Sequence, residues 1–326
     1  LIGYVSSTSA EGGFWTNGEK IVYYKKSLNN QIEKWIGIPH YGRTWDSIGR
    51  FKKSELIQPI DLKLAFKRCH NAIYRTGIDS EDVALDMVRI ILAKREDESS
   101  ADDECKFYIT PEEFEDKILK KAACDRVRDL FNAVKEQFPD VFSEHEKITS
   151  SDSQLAIVIS HLQQYSFLDA DHDVIGTAYE IYVASHLKGE RGQFFTNRLV
   201  VDMMVRMMDP DDKSVILDPS CGSAGFLITA MNYVFKKIDN SGRSNSAKEV
   251  LKRNVVHQLF GIDISPKLVK IAKANMLIGK DGHGGIEQAN SLDSISKLSA
   301  SFQEKAGLGK PTMILTKESI TAEDGT

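Results

Sequence analysis

The stretch Val215–Leu227, "VILDPSCGSAGFL", decides how the chain is read. Val215-Ile216-Leu217 reads as a short buried strand, Asp218 and Pro219 close it, and an apolar helical pattern starts near 224. Between them lies a turn of small residues. In open α/β sheets ligands sit outside the carboxyl ends of the strands, and a strand–turn–helix of this kind is the usual cofactor loop. Gly222 and Gly225 carry no Cβ and let the backbone approach a ligand closely. The element is common, so its charge and its surroundings must discriminate.

The pattern alternates downstream. It predicts a strand at 215–217, a helix at 224–237, a strand at 258–262, a helix at 266–278, a short strand near Ile286 and a strand at 312–316. That order predicts an α/β fold with a doubly wound, mainly parallel sheet. Ser265 is the expected cap of the 266–278 helix, with Pro266 in its first turn. Just upstream, "DVIGTAYEIYVASHL" and "RLVVDMMVRMM" read as helices, the second capped by Thr196 or Asn197. Its methionines fall on an apolar stripe and read as core.

Three segments follow. Residues 171–326 hold the α/β pattern. Residues 53–170 carry helical periodicity, with a helix from Ser80 to about Arg95 and another opened by a capping box at Thr110, Pro111 and Glu113. "REDESSADDE" between them reads as a mobile acidic surface loop. Residues 1–52 open on a hairpin signal, two β-prone runs flanking Asn17-Gly18, the dipeptide of a type I′ turn. A lone hairpin is unstable. It reads as the remnant of a β-rich domain, and the chain reads as an excerpt of a longer one.

The bulk numbers set few limits. The 326 residues carry a net charge of −5, so no overall field for nucleic acid exists, although a local basic groove or a partner's is compatible with it. The four cysteines form no Cys-x-x-Cys pair, which points to neither zinc nor a disulfide framework and suits a reducing cytoplasm. No apolar run is long enough for a membrane span.

The charge of the loop narrows the cofactor. A dinucleotide loop is G-x-G-x-x-G, and a carboxylate leading it would repel the pyrophosphate. No Gly-Lys-Ser/Thr is present for a P-loop. Asp218 suits a cofactor with a cationic end and no phosphate, which describes S-adenosylmethionine. Asp263 ends the second strand, about 40 residues on, where a carboxylate accepts hydrogen bonds from ribose hydroxyls. The third strand leads to Asn290, placed to meet the adenine edge or simply to make a turn.

These residues resemble a family. "DPSCGSAGFL" is similar to the Asp-Pro-Ala-Cys-Gly-Ser-Gly-Gly-Phe-Leu motif of N6-adenine DNA methyltransferases, and more narrowly of the modification subunits of type I restriction–modification systems. "GQFFTN", "GIDISPKLVKIAKANMLIGKDGHGGI" and "ANSL" resemble its other motifs in the same order, over roughly 171–316. The family's Pro after Phe-Phe-Thr is Asn197 here, and its third loop glycine is Ala224; the backbone path can survive both changes. The resemblance implies the methyltransferase fold, with Gln193, Phe194, Phe195 and Thr196 lining S-adenosylmethionine. It places Asp218, Pro219, Gly222, Ser223, Ala224 and Gly225 around the methionine end. Asp263 would bind the ribose, Ile264 would pack on the adenine and Asn290 would bond the adenine amine. It also implies double-stranded DNA as substrate, flipped adenine as acceptor, and specificity and restriction subunits as partners. The N-terminal hairpin faintly resembles the end of a nuclease-like restriction domain, hence a possible fusion.

The family's catalytic Asn-Pro-Pro-aromatic motif has no match. Its expected place follows "PTMILT", after Thr316, where the sequence reads "KESITAEDGT". A gap between Thr316 and Lys317, a truncation, and a degenerate relative all remain open. The alternative to an adenine methyltransferase is a non-catalytic cofactor-binding or assembly module; the acidic loop disfavours a nicotinamide enzyme.

Overall fold

The computed structural model describes residues 5, 7–17, 21–26, 31–35, 48–58, 65–69, 80–168, 196–278, 282–307 and 313–314. They fall into two compact units. One comprises Leu1–Ile78, Arg89–Gln137 and Lys147–Asp169; the other comprises Asp79–Val88, Phe138–Glu146 and Ala170–Thr326.

The first unit opens with a three-stranded antiparallel sheet, β1 (Gly12–Thr16), β2 (Ile21–Lys26) and β3 (Ile32–Trp35), in that spatial order. Thr16 pairs with Ile21, so four residues separate the strands and the two-residue Asn17-Gly18 turn is not the one used. β3 supplies the third strand that a lone hairpin lacks. Helix α1 (Ser80–Ser99) is divided between the two units after Val88, and α2 (Pro111–Glu115), α3 (Lys117–Gln137) and α4 (Asp152–Leu162) belong to the first. The capping box forms as its residues dictate: Thr110 Oγ1 accepts from the Glu113 amide at 3.2 Å, and Glu113 Oε2 accepts from the Thr110 amide at 2.8 Å.

Only the second half of the acidic run is exposed and outside a helix, at residues 101–104; the first half is not a loop. α1 continues through it to Ser99, and Asp97 and Glu98 are buried. Asp97 accepts from the amides of Lys106 and Phe107, and Glu98 Oε2 from those of Phe167 and Leu168, at 2.7–2.9 Å. Lys94, itself fully buried, places Nζ 3.1 Å from Glu98 Oε1 and lies over the rings of Phe107 and Phe167. Charge density in a sequence signals solvent only when no donors await the charges; here backbone N–H groups and a lysine do.

The second unit contains α5 (Arg198–Met208), β4 (Ile216–Asp218), α6 (Gly225–Asp239), α7 (Asn245–Val256), β5 (Leu259–Asp263), α8 (Pro266–Ile278), β6 (Ile286–Gln288), α9 (Ala300–Ala306) and β7 (Met313–Ile314). The strands form one four-stranded sheet in the order β6-β5-β4-β7, and every pairing is parallel. Side chains alternate between its faces. Ile216 and Leu259 pack with α5, α6 and α8 residues, while Leu217, Phe260 and Ile262 pack with Phe302 and Ala306 of α9. Both faces are therefore covered, which is why the strands read as continuous apolar runs. Within this unit α7 and α9 were not anticipated.

α5 corrects one expectation. Val201 and Val205 are buried and Met204 packs against them, but Met203, Met207 and Met208 are exposed. The run is apolar nearly all round, so only the face carrying Val201 and Val205 is core.

Candidate cofactor site

Counted along this unit, the strand order is 3-2-1-4, and it reverses at β4. The carboxyl end of β4 is therefore the topological switch point, and Asp218 sits there, 1% exposed. Its Oδ1 accepts from the Ser220 amide at 3.1 Å, which bends the chain sharply off the strand.

The turn that follows is held at successive peptides. The Cys221 amide donates to the Ile262 carbonyl at 2.9 Å, the Gly222 amide to Asp263 Oδ2 at 3.0 Å, and the Ala224 amide to the Cys221 carbonyl at 2.7 Å. The Ser223 carbonyl accepts from Asn275 Nδ2 on α8 at 3.0 Å. Gly222 is left-handed, φ +53°, and a Cβ built on it would meet nothing within 4 Å, so the space over the loop is open. Ala224 is also left-handed, φ 68°, and precedes α6 without a side-chain cap. The backbone path survives the replacement of glycine there, at a cost of about 1–2 kcal/mol for an L residue in this region.

Asp263, at the tip of β5, is tied into the same loop. Besides the Gly222 amide it accepts from the Ser265 amide, Oδ1 at 2.8 Å. A carboxylate has about four acceptor positions, so two remain for a ligand. Ile264 follows with its side chain 68% exposed, an unusual setting for isoleucine at a strand end. Asn290, one residue past Ala289, is exposed, and its Oδ1 accepts from the Leu292 amide at 3.1 Å, an Asx turn. Thr196 is half-buried just before α5, and Asn197 is the cap, its Oδ1 accepting from the Leu199 amide at 2.9 Å. Gln193, Phe194 and Phe195 lie outside the described residues, as do Thr316 and Lys317.

The loop cysteine is buried, 5% exposed. Burial, reinforced by the charges of Asp218 and Asp263, pushes the Cys221 thiol well above its ordinary range. Among the anticipated residues, the structure brings Asp218, Pro219, Gly222, Ser223, Ala224, Gly225 and Asp263 into one loop system. Asn275 was missed: a polar residue inside an apolar helical stripe, "AKANML", was its signal.

Residues 170–304 match the family model described as N-6 DNA Methylase. The chain is 29% identical over 126 residues to the type II restriction enzyme and methyltransferase RM.BcgI of Heyndrickxia coagulans, covering 38% of this chain and 19% of that protein. It is 26% identical over 167 residues to the type I restriction enzyme EcoKI methylase subunit of Escherichia coli K12, covering 47% and 31% respectively. The chain thus spans less than a third of the length of either relative. Among solved structures, the type I restriction-modification system methyltransferase subunit from Streptococcus thermophilus aligns over 77% of this chain and 61% of its own, at 15% identity and a TM-score of 0.44.

Proposed function

We propose that this chain contains the cofactor-binding part of a DNA adenine-N6 methyltransferase of a restriction–modification system, with S-adenosylmethionine as methyl donor and double-stranded DNA as substrate. In this reading residues 171–326 form a doubly wound methyltransferase domain, preceded by a helical domain at 53–170 and a β segment at 1–52. Specificity and restriction subunits of the same system are the partners.

The observation that carries it is the pair of carboxylates at the sheet's switch point, Asp218 buried at the end of β4 and Asp263 at the end of β5, each accepting an amide of the same loop, Ser220 and Gly222 respectively. A phosphate-bearing ligand would meet negative charge there. S-adenosylmethionine, when bound, supplies an electrophilic methyl group on a sulfonium and brings positive charge to the loop.

The residues present fit that group. Asp218 offers a charge complement to the ammonium end, and the uncapped start of α6 favours a carboxylate. The two unused acceptor positions of Asp263 suit two adjacent ribose hydroxyls. Ile264 gives an apolar surface for a purine face, and Asn290 Oδ1 keeps one lone pair for an exocyclic amine. The open space over Gly222 leaves room for the chain of the amino acid. The groups that would accept the N6 proton of a flipped adenine belong to the Asn-Pro-Pro-aromatic motif, and that role is assigned to no residue of this sequence.

The test is methyl transfer. The full gene product, incubated with tritiated S-adenosylmethionine and an adenine-containing duplex, should place label on adenine N6. Cofactor binding without transfer would favour the assembly-module alternative; label on cytosine would overturn the adenine reading.

A further inference from the structure

The loop after β4 is fixed from two directions. Cys221 and Gly222 are held by β5, through the Ile262 carbonyl and the Asp263 carboxylate. Ser223 is held from α8, by Asn275 alone among the described hydrogen bonds to its carbonyl. Asn275 is 2% exposed, and Ser223 is 3% exposed. The amide of Asn275 is used on one side only: Nδ2 donates to Ser223, while Oδ1, equally buried, has no hydrogen-bond partner among the described residues.

A half-satisfied buried amide is a poor choice for packing. Leaving a buried acceptor unmade costs stability that an apolar residue of similar volume would not forfeit. The neighbours on α8, Ala272, Ala274 and Met276, are apolar and fully buried, so the helix has no general need for a polar side chain here. What the amide does is set the orientation of one peptide. The N–H side of the Ser223–Ala224 peptide is held by the Cys221 carbonyl at 2.7 Å, and Asn275 holds its carbonyl side toward α8; together they fix the plane and the left-handed Ala224 that starts α6.

We infer that Asn275 is a positioning residue for the amino-acid end of the cofactor: it touches no ligand, and it sets the loop peptide that Ser223, Ala224 and Gly225 present. This rests on the S-adenosylmethionine reading above. Asp263 then bears on both halves of the ligand, through the ribose and through the Gly222 amide, while Asn275 bears on the amino-acid half alone. Loss of Asn275 should therefore harm one half of the ligand and spare the other.

The experiment compares two ligands on the intact chain by calorimetry or competition: S-adenosylmethionine, and 5′-methylthioadenosine, which lacks the amino-acid end. Asn275→Leu removes the donor and keeps the volume; Asn275→Asp keeps the shape and replaces the donor by an acceptor facing a carbonyl. Either variant that folds, checked by circular dichroism and thermal melting, is informative. The expected result is a tenfold or greater loss of affinity for S-adenosylmethionine with 5′-methylthioadenosine affinity within twofold of wild type. Unchanged affinity for both, or equal loss for both, overturns the inference and makes Asn275 a structural residue only. Failure of wild-type protein to bind S-adenosylmethionine overturns the underlying reading instead, so the two failures are distinguishable.

Discussion

Two adjacent glycines should respond in opposite ways to the same substitution. Gly284 and Gly285 form the 3₁₀ turn that feeds β6. A Cβ on Gly284 would meet nothing within 4 Å. A Cβ on Gly285 would lie 2.0 Å from the backbone oxygen of Leu259 and 3.2 Å from its carbonyl carbon. That oxygen belongs to the first residue of β5, a strand paired on both sides and buried on both faces, so it cannot yield as the end of a flexible side chain can. Relief requires β6 to shift by roughly 1 Å or more to restore ordinary contact, and overpacking of this kind costs about 1–3 kcal/mol or more. We place Gly285→Ala near the upper end, about 3 kcal/mol. Gly284→Ala should be neutral or stabilising by up to about 1 kcal/mol, because alanine has less freedom to lose on folding. In urea, with a slope of roughly 2 kcal/mol/M, Gly285→Ala should lower the midpoint by about 1.5 M, read by far-ultraviolet circular dichroism. A Gly285→Ala midpoint within about 0.3 M of wild type, or the same shift in both variants, would refute the packing argument.

Other outcomes are equally definite. Lys94→Met should cost about 3 kcal/mol by stranding the buried Glu98 carboxylate, and adding Glu98→Gln should recover most of it; equal denaturation midpoints for the single and double variants would show that the 3.1 Å pair does not couple. All four cysteines are buried, with the thiols of Cys105 and Cys124 pushed up to about 11 and about 12 and those of Cys69 and Cys221 also raised, in every case chiefly by burial. Folded protein should then leave all four unreacted with an aromatic disulfide reagent at about pH 8, below the ordinary thiol range, and unfolding should release all four. Because these folded values exceed the ordinary 9.0, the thiols favour the folded state below that pH, and stability should fall as pH climbs above it, a slope that urea titration at a series of pH values would show or exclude. Asp263→Asn should weaken S-adenosylmethionine binding at least tenfold, about 1.4 kcal/mol, since one oxygen is lost as an acceptor both for the loop and for the ligand; calorimetry giving an unchanged Kd would remove Asp263 from the site.

Much of the second unit was legible because its signals are local. Apolar strands, Ser265 before Pro266, and glycine after aspartate all act within a few residues, and β4, α6, β5, α8 and β6 lie where they were anticipated, within a residue or two. The illegible parts depend on distant partners. Asp97 and Glu98 look solvated until the amides of Lys106, Phe107, Phe167 and Leu168 are brought to them. The hairpin connection was misjudged because Asn17-Gly18 states a preference, while the register is set by pairing along the whole strand. In the site, the loop residues were readable from their own sequence, whereas Asn275 acts 52 positions away from Ser223, and no spacing rule reports that contact. The loop-clamp role of Asp263, through the Gly222 amide, was equally invisible, since a carboxylate's partners are not written beside it.

The most direct test of the central claim is calorimetric titration of the purified chain with S-adenosylmethionine. The account predicts one site with a dissociation constant in the micromolar range, on the order of −8 kcal/mol, competed by the demethylated product and not by NAD. A well-folded protein that binds NAD instead, or takes up no S-adenosylmethionine, would contradict it.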